Sequence, residues 1–178
     1  MSRTGVAGRK GRVLVTGGSG CIGMAICRNL REAGWQPISG DLESANALVD
    51  WSAPENRGIQ MIVLDVTDRD SVDSAAAQLG GEFAGLVNCA GILRDTLLGN
   101  VADQQMLAMF QVNLAGTARC TDAFAPLIWD GGAIVNVGSL TGNMARFVGA
   151  SVYGATKAGV AAYTGYLAEE LSPRGIRV

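Results

Sequence analysis

The sequence predicts an α/β fold, a doubly wound parallel sheet with helices on both faces. Three observations predict it. Short β-rich runs alternate with segments of helical periodicity along nearly the whole chain. The runs "IQMIVLDV" and "GLVNCAG" are continuously apolar, as strands covered on both faces are. The stretches between runs are long enough for a helix, and a crossover of that length joins parallel neighbours with a right-handed turn. A chain of 178 residues suits one domain around one core, and no internal repeat or linker divides it.

Each element follows from its residues. "RVLVTG" is a first strand ended by glycines. From Cys21 to Ala33, the residues Ile22, Ala25, Ile26 and Leu30 recur at helical spacing, and Gly34 closes that helix. "WQPISGD" reads as a second strand weakened by Pro37 and Gly40. "ESANALVDWSAPEN" is a short helix or loop. "IQMIVLDV" is a third strand, expected to be buried on both faces, and 68–79 a small alanine-rich helix. "GLVNCAG" is the fourth strand, 103–127 one long helix, and "AIVNVGS" the fifth strand. Residues 152–171 form another long helix, followed by "SPRG" and an apolar stub, "IRV", that reads as the first half of a sixth strand. Trp35, Trp51 and Trp129 are expected to be packing residues, and Cys89 a small filler.

Composition removes several function classes. The net charge of −2 supplies no basic field, so no nucleic-acid partner is expected. No apolar run reaches the length of a membrane span. The basic stretch 1–11 has no apolar signal region and reads as a flexible arm. The chain has no histidine, which removes any Ser-His-Asp or Cys-His catalyst and most zinc sites. Four cysteines without metal-type spacing point to no metal and to a reduced, cytoplasmic protein.

The motifs lie where strands end. Gly18-x-Gly20-x-x-Gly23 follows the first strand and opens the first helix, the context in which such glycines let a backbone approach a pyrophosphate at a helix N-terminus. Asp41 ends the second strand, where a carboxylate accepts from both adenosine ribose hydroxyls and repels a 2′-phosphate. No Lys or Arg occurs between Arg31 and Arg57, so NAD is expected over NADP. Tyr153 and Lys157 lie one helical turn apart and share a face. A lysine ammonium beside a phenol makes chemical sense as a proton donor and acceptor for an alcohol or carbonyl. Ser139 follows the fifth strand, at the sheet edge where such folds bind ligands. Asn113 interrupts the apolar pattern of the long helix.

Together these residues resemble the short-chain dehydrogenase/reductase family, in its compact single-domain branch. The motifs run in order over 12–178: "TGGSGCIG", Asp41, "LDVTD", "NCAG", "VNLAG", "IVNVGS" and "YGATK". The resemblance implies a Rossmann-type sheet of order 3-2-1-4-5-6 and hydride transfer between NAD(P) and a secondary alcohol or ketone. It implies that Tyr153 is the general acid/base and that Lys157 favours the tyrosinate and holds the nicotinamide ribose. Ser139 would bind the substrate oxygen, and Asn113 would help hold a relay water. Gly17, Ser19, Gly20, Cys21, Ile22 and Gly23 would form the cofactor cradle, with Asp41 and Leu42 at the adenosine ribose. Asp65 and the Val66 backbone would meet adenine, and Asn88, Ala90 and Gly91 would line the cofactor after strand four. "GILRDTLL" resembles family members acting on 3-hydroxyacyl or 3-ketoacyl thioesters. The helices 103–127 and 152–171, which include Ala158, Val160, Ala161, Ala162, Tyr166 and Leu167, would build a homodimer or homotetramer.

Two features depart from the compact branch. Cys21 stands where that branch has its middle glycine, and the resulting T-G-x-x-G-x-x-G resembles the extended branch. The chain also ends where family members continue into a substrate-binding segment, so a fragment is expected. A nucleotide-binding fragment without turnover is the alternative reading.

Overall fold

The computed structural model of the chain describes residues 10–94 and 96–178; most of the basic stretch 1–11 lies outside them. Five strands form one parallel sheet in the order β3-β2-β1-β4-β5: β1 (Arg12–Thr16), β2 (Gln36–Asp41), β3 (Gln60–Val63), β4 (Phe83–Asn88) and β5 (Ile128–Asn136). The expected sixth strand is a stub. Arg177 bridges Ala133 in parallel, and the Ile134 N–H donates to the Arg177 carbonyl at 2.8 Å. The strand order reverses between β1 and β4, so the carboxyl ends of those two parallel strands open a crevice.

The strands alternate their side chains between two cores. Leu14, Ile38, Leu86, Phe83 and Ile134 pack on one face beneath α3 (Arg69–Leu79) and α5 (Thr117–Phe124). Val13, Val15, Ala84 and Val87 pack on the other against Met24 and Cys27 of α1 (Cys21–Glu32). Each fully buried side chain of this size contributes about 1.5–3 kcal/mol. Phe83 and Phe124 meet edge to face with ring centroids 5.5 Å apart. The Arg12 guanidinium stacks over Phe83 and donates to the carbonyls of Leu79 and Gly80, which end α3. The three tryptophans border the α1-side core, as packing residues do.

Several elements differ from the sequence expectation. β3 is an edge strand, and Met61 and Val63 are each 52% exposed, so it is covered on one face only. Pro37 is tolerated in β2 because pairing with β3 begins only at Ile38. At Gly40 a Cβ would sit 2.8 Å from Leu64 and 3.2 Å from Leu14, so the glycine makes room for the core above it. The helix expected over 103–127 is four pieces: α4 (Asp103–Phe110), a π-helical turn Gln111–Gly116, α5, and a 3-10 turn Ala125–Leu127. Short helices α2 (Glu43–Asn46) and α6 (Leu140–Asn143) follow β2 and β5, and α7 (Ser151–Leu171) is the long helix expected over 152–171. β5 begins five residues earlier than the apolar run, with a bulge against Phe83 and Gly85.

The turn from β1 to α1 is the tightest place in the fold. Gly17 adopts φ +64°, and a Cβ there would lie 2.7 Å from Ala90 Cα. A Cβ on Gly23 would lie 2.1 Å from the Gly17 carbonyl oxygen. Gly23→Ala is therefore expected to lower unfolding stability by about 1–3 kcal/mol through overpacking. Gly165→Ala, in an exposed turn of α7 with nothing within 4 Å, is expected to raise it by about 0.5–1 kcal/mol. Urea unfolding of the two variants checks both signs.

Candidate active site

The carboxyl ends of β1, β2 and β4 surround a cavity of about 740 Å³. Its floor is the β1–α1 loop. Gly20 caps α1 without a side chain and accepts from the Met24 N–H at 2.8 Å, and a Cβ on it would meet only the Gly17 carbonyl oxygen within 4 Å. The first N–H groups of α1 thus face the crevice without a side-chain cap. Gly17, Ser19, Gly20, Cys21, Ile22 and Gly23 all line the cavity, as do Asp41, Leu42, Asp65, Val66, Ala90 and Gly91. The sequence reading did not single out Ala45, Leu48, Val49, Leu64, Thr67, Cys89, Ile92 or Val112, which also line it. Leu64, Thr67, Cys89, Ile92 and Val112 lie inside the quoted motifs without a site role assigned to them, and the rest are small or aliphatic residues that no motif marks.

Asn88 is not among the lining residues. Its side chain, 3% exposed, turns onto the α5 face and donates to Thr121 Oγ1 at 3.0 Å and Asn136 Oδ1 at 2.8 Å. Asn136 in turn donates to Thr164 Oγ1 of α7. Side chains alternate along β4, and the Asn88 side chain falls on the buried face, so any contact with a cofactor there would come from its backbone. Thr16, the first residue of "TGGSGCIG", to which the sequence reading gave no role, holds the turn after β4. Its hydroxyl accepts from the N–H groups of Cys89 and Ala90, both at 3.1 Å.

The charged groups of the cavity lining are two carboxylates. Asp41 Oδ2 accepts from the Ser19 N–H at 3.0 Å, and Oδ1 from the Leu42 N–H at 2.9 Å. Each oxygen keeps lone-pair capacity toward the cavity. Asp65 Oδ1 takes the Thr67 N–H and hydroxyl at 2.8 and 2.7 Å. No lysine or arginine lines the cavity among the described residues.

A second group of polar residues gathers where β5 meets α7. Lys157 is 5% exposed, and its Nζ donates to the Val137 carbonyl at 2.7 Å. Burial pushes its ammonium below the usual lysine range, opposed by the nearby Cys89. A Cβ on Gly91 would lie 3.6 Å from Lys157 Nζ and 3.4 Å from Asn113 Oδ1, so all three meet at the rim of the cavity. Tyr153 is half-buried one turn earlier on α7. Ser139 caps α6 and accepts from the Thr141 N–H at 3.2 Å. α6 lies directly across α7: a Cβ on Gly142 would be 3.0 Å from the Lys157 and Ala158 backbones, and one on Gly154 would be 3.1 Å from the Thr141 carbonyl. Glycine at both crossings lets the two backbones touch, which brings Ser139 to the Tyr153 end of α7.

Asn113 is fully buried in the π-helical turn. Its amide donates to the Ile92 carbonyl at 2.9 Å and Thr156 Oγ1 at 3.1 Å, and accepts from the Ile92 N–H at 2.8 Å. Both side-chain donors are therefore spent on the loop after β4 and on α7. Thr156 passes the link on by donating to the Tyr153 carbonyl at 2.7 Å.

The four cysteines are all free thiols in different settings. Burial pushes Cys27 and Cys120 up to about 12. Burial also raises Cys89, against the pull of Lys157. Cys21 alone is exposed. Among the described residues no cluster could hold a metal ion, and no helix is long and apolar enough to cross a membrane. A thiol pushed to about 12 is only ~10⁻⁴ thiolate at pH 8. Iodoacetamide at pH 8 is therefore expected to label Cys21 first, Cys89 slowly, and Cys27 and Cys120 only after unfolding, as peptide mass spectrometry will read out.

Comparison with known proteins matches this arrangement. Residues 11–178 match the family described as short chain dehydrogenase. Carbonyl reductase family member 4 of Xenopus tropicalis is 35% identical over 171 residues, covering 92% of this chain and 70% of that protein. The 3-oxoacyl-(acyl-carrier-protein) reductase FabG of Vibrio cholerae is 36% identical over 172 residues, 93% of this chain and 69% of its own length. A crystal structure of a short chain dehydrogenase from Burkholderia cenocepacia J2315 in complex with NADP superposes with TM-score 0.85 at 34% identity, covering 94% of this chain and 71% of that one.

Proposed function

The chain belongs to the short chain dehydrogenase family, and on that premise we propose that it interconverts a secondary alcohol and a ketone with a nicotinamide dinucleotide, NAD in preference to NADP. The observation that carries the reading is the buried Lys157 amine. It is held on the Val137 carbonyl, one turn from Tyr153 and beside Gly91 at the rim of the cavity. A buried lysine without a carboxylate partner is costly and is retained where its charge has work to do.

The cradle fits the dinucleotide: uncapped helix N–H groups for the pyrophosphate, the bare backbone of Gly17 and Gly20 lining the cavity, and Asp41 at the adenosine end. When bound, its nicotinamide supplies or accepts the hydride. Tyr153 gives a proton to the ketone oxygen in reduction and takes it back in oxidation. Lys157 stabilises the negative charge that develops on that oxygen pair and holds the adjoining ribose. Ser139 already accepts from the Thr141 N–H, so its own proton is available to the substrate oxygen. The Asn113 side chain has no donor left for a water. Its main-chain carbonyl accepts from Thr117 Oγ1 at 2.9 Å, and the proposed part of Asn113 in holding a relay water toward Lys157 is made through its place in the π-helical turn beside Gly91 and Lys157.

Cofactor choice rests on this chain's own cavity. Among the described residues two carboxylates and no cation line it, so the 2′-phosphate of NADP would meet like charge, whereas ribose hydroxyls can donate to Asp41. The neighbour from Burkholderia is a complex with NADP, which makes the preference a point to measure in this chain. The substrate class is a 3-hydroxyacyl or 3-ketoacyl thioester. Leu93, Leu97, Leu140, Met144 and Phe147 are exposed on the two loops beyond β4 and β5. These loops are tied together by the Thr96 N–H on the Gly149 carbonyl at 2.9 Å and offer an apolar wall to an acyl chain. The relative from Vibrio cholerae carries the name of such a reductase. Leu107, Phe110 and Tyr166, exposed on α4 and α7, support assembly of copies through those helices, while Val160 and Leu167 are spent on the chain's own core. Four free thiols suit the cytoplasm.

Tyr153→Phe is expected to bind NADH within about twofold of the parent and to lose at least ~100-fold in turnover, the usual worth of a general acid/base. Fluorescence titration and alcohol oxidation measure the two, and undiminished turnover would remove Tyr153 from its role. Asp41→Ala is expected to lower the NADH-to-NADPH affinity ratio at least ~10-fold by removing the carboxylate that accepts from the ribose and repels phosphate.

A further inference from the structure

The glycine loop and the end of β2 are joined by a residue that no motif marks. Asn46 closes the one-turn helix α2 and is 4% exposed. Its Oδ1 accepts from Ser19 Oγ at 2.6 Å, and its Nδ2 donates to the carbonyls of Asp41 and Ile62, both at 3.2 Å. Its own carbonyl takes the Trp51 indole N–H at 2.9 Å. The Ser19 N–H donates in turn to Asp41 Oδ2. The bonds form a closed ring: Ser19 N–H, Asp41 carboxylate, Asp41 carbonyl, Asn46 amide, Ser19 hydroxyl. Asn46 does not line the cavity, so it acts only through Ser19 and Asp41.

We propose that Asn46 is a positioning residue that latches the glycine loop to β2 and so fixes the direction of the Asp41 carboxylate, setting selectivity for NAD over NADP. The proposal rests on the assignment of Asp41 to the adenosine ribose. A carboxylate on a strand end can rotate freely. Here Oδ2 is committed to the Ser19 N–H of the loop and Oδ1 to the Leu42 N–H, and Asn46, together with the Gly18 N–H on the Gly40 carbonyl at 3.3 Å, keeps that loop at a fixed distance from the strand. Breaking the ring releases the Ser19 hydroxyl and the Asp41 carbonyl and loosens the hold on Oδ2, with Oδ1 left on the Leu42 N–H. The loss falls on the ligand that needs the carboxylate in place, the unphosphorylated ribose, and spares the one that is repelled by it.

The test compares Asn46→Ala with Asn56→Ala. Asn56 is equally buried at 4% but holds Asp50 and Arg28 away from the cavity, so it controls for the loss of a buried amide. Three measurements are made on each: NADH and NADPH dissociation constants, thermal midpoint, and hydrogen exchange of the Ser19 amide by NMR. Both variants are expected to melt lower. Asn46→Ala alone is expected to raise the NADH constant about tenfold, shift the NADPH constant less than about threefold, and speed Ser19 exchange about tenfold, on the scale of a lost hydrogen-bonded link. Ser19→Ala, on a partly exposed loop, opens the same ring without burying a hole and is expected to move the ratio the same way by about threefold. An Asn46→Ala protein with the parent's NADH-to-NADPH ratio and the parent's Ser19 exchange overturns the latch. Should Asn46→Ala fail to fold, Ser19→Ala with an unchanged ratio does so. Equal affinity of the parent for NADH and NADPH overturns the NAD assignment instead. Ser19 exchange then judges the latch, and no difference between Asn46→Ala and Asn56→Ala sinks it.

Discussion

Everything in this molecule hangs on a contact between backbones at the β1–α1 turn. The Gly23 backbone presses on the Gly17 carbonyl, and Gly17 presses on Ala90 at the end of β4, with no room for a Cβ at either place. That contact lets α1 start directly above the sheet instead of a residue's width away from it. Thr16 reinforces it by accepting both N–H groups of the turn after β4. Three strand ends are thereby drawn to one point, and the crevice between them is narrow enough for uncapped helix N–H groups to face a ligand. Cys21 fits because the constraint falls on its neighbours. Its thiol is exposed, and it lines the cavity beside Gly20.

A similar device operates at the far end of the site. α6 rests on α7 through Gly142 and Gly154, so the residue that caps α6 is carried to the Tyr-Lys helix by packing. Asn113 supplies the third anchor. The π-helical turn inserts it between the loop after β4 and Thr156 of α7, and its amide is saturated by those two partners. The polar groups of the site are thus held by backbone carbonyls and helix caps, with few side-chain pairs among them. Such supports are rigid because each is part of an element already fixed by the core.

The electrostatic layout has two unlike ends. Carboxylates line the end of the cavity at β2 and β3 and a buried ammonium lies at its opposite rim, with small and aliphatic residues between. Among the described residues, the stretch between them is met by uncapped helix N–H groups and by no lysine or arginine. The direction of the Asp41 carboxylate is a property of the hydrogen bonds from Ser19 and Leu42 behind it.

The sequence by itself determined the fold class, the strand sequence and the glycine turn after the first strand, because these are local signals: periodicity and glycines after a strand. Tyr153, Lys157, Ser139 and Asn113 are named as a candidate set through the family resemblance, and their roles stand as proposals. It also placed Asp41 at a strand end. Tertiary structure alone decided the rest. Burial on β3 depends on which strand is at the edge, and a continuous apolar run reads alike in both places. Asn88 turned out to face the helices because alternation along β4 is set by which side the neighbours cover. The π-helical turn within 103–127 coincides with the bonds that Asn113 makes across the fold, whereas the 3-10 turn at its end has a local cause in Pro126. Asn46 was silent in the sequence for the same reason: its partners Ser19, Asp41 and Ile62 come together only when β1, β2 and β3 pair. Local chemistry can be read along the chain, whereas a hydrogen-bond ring between strands exists only once the strands are side by side.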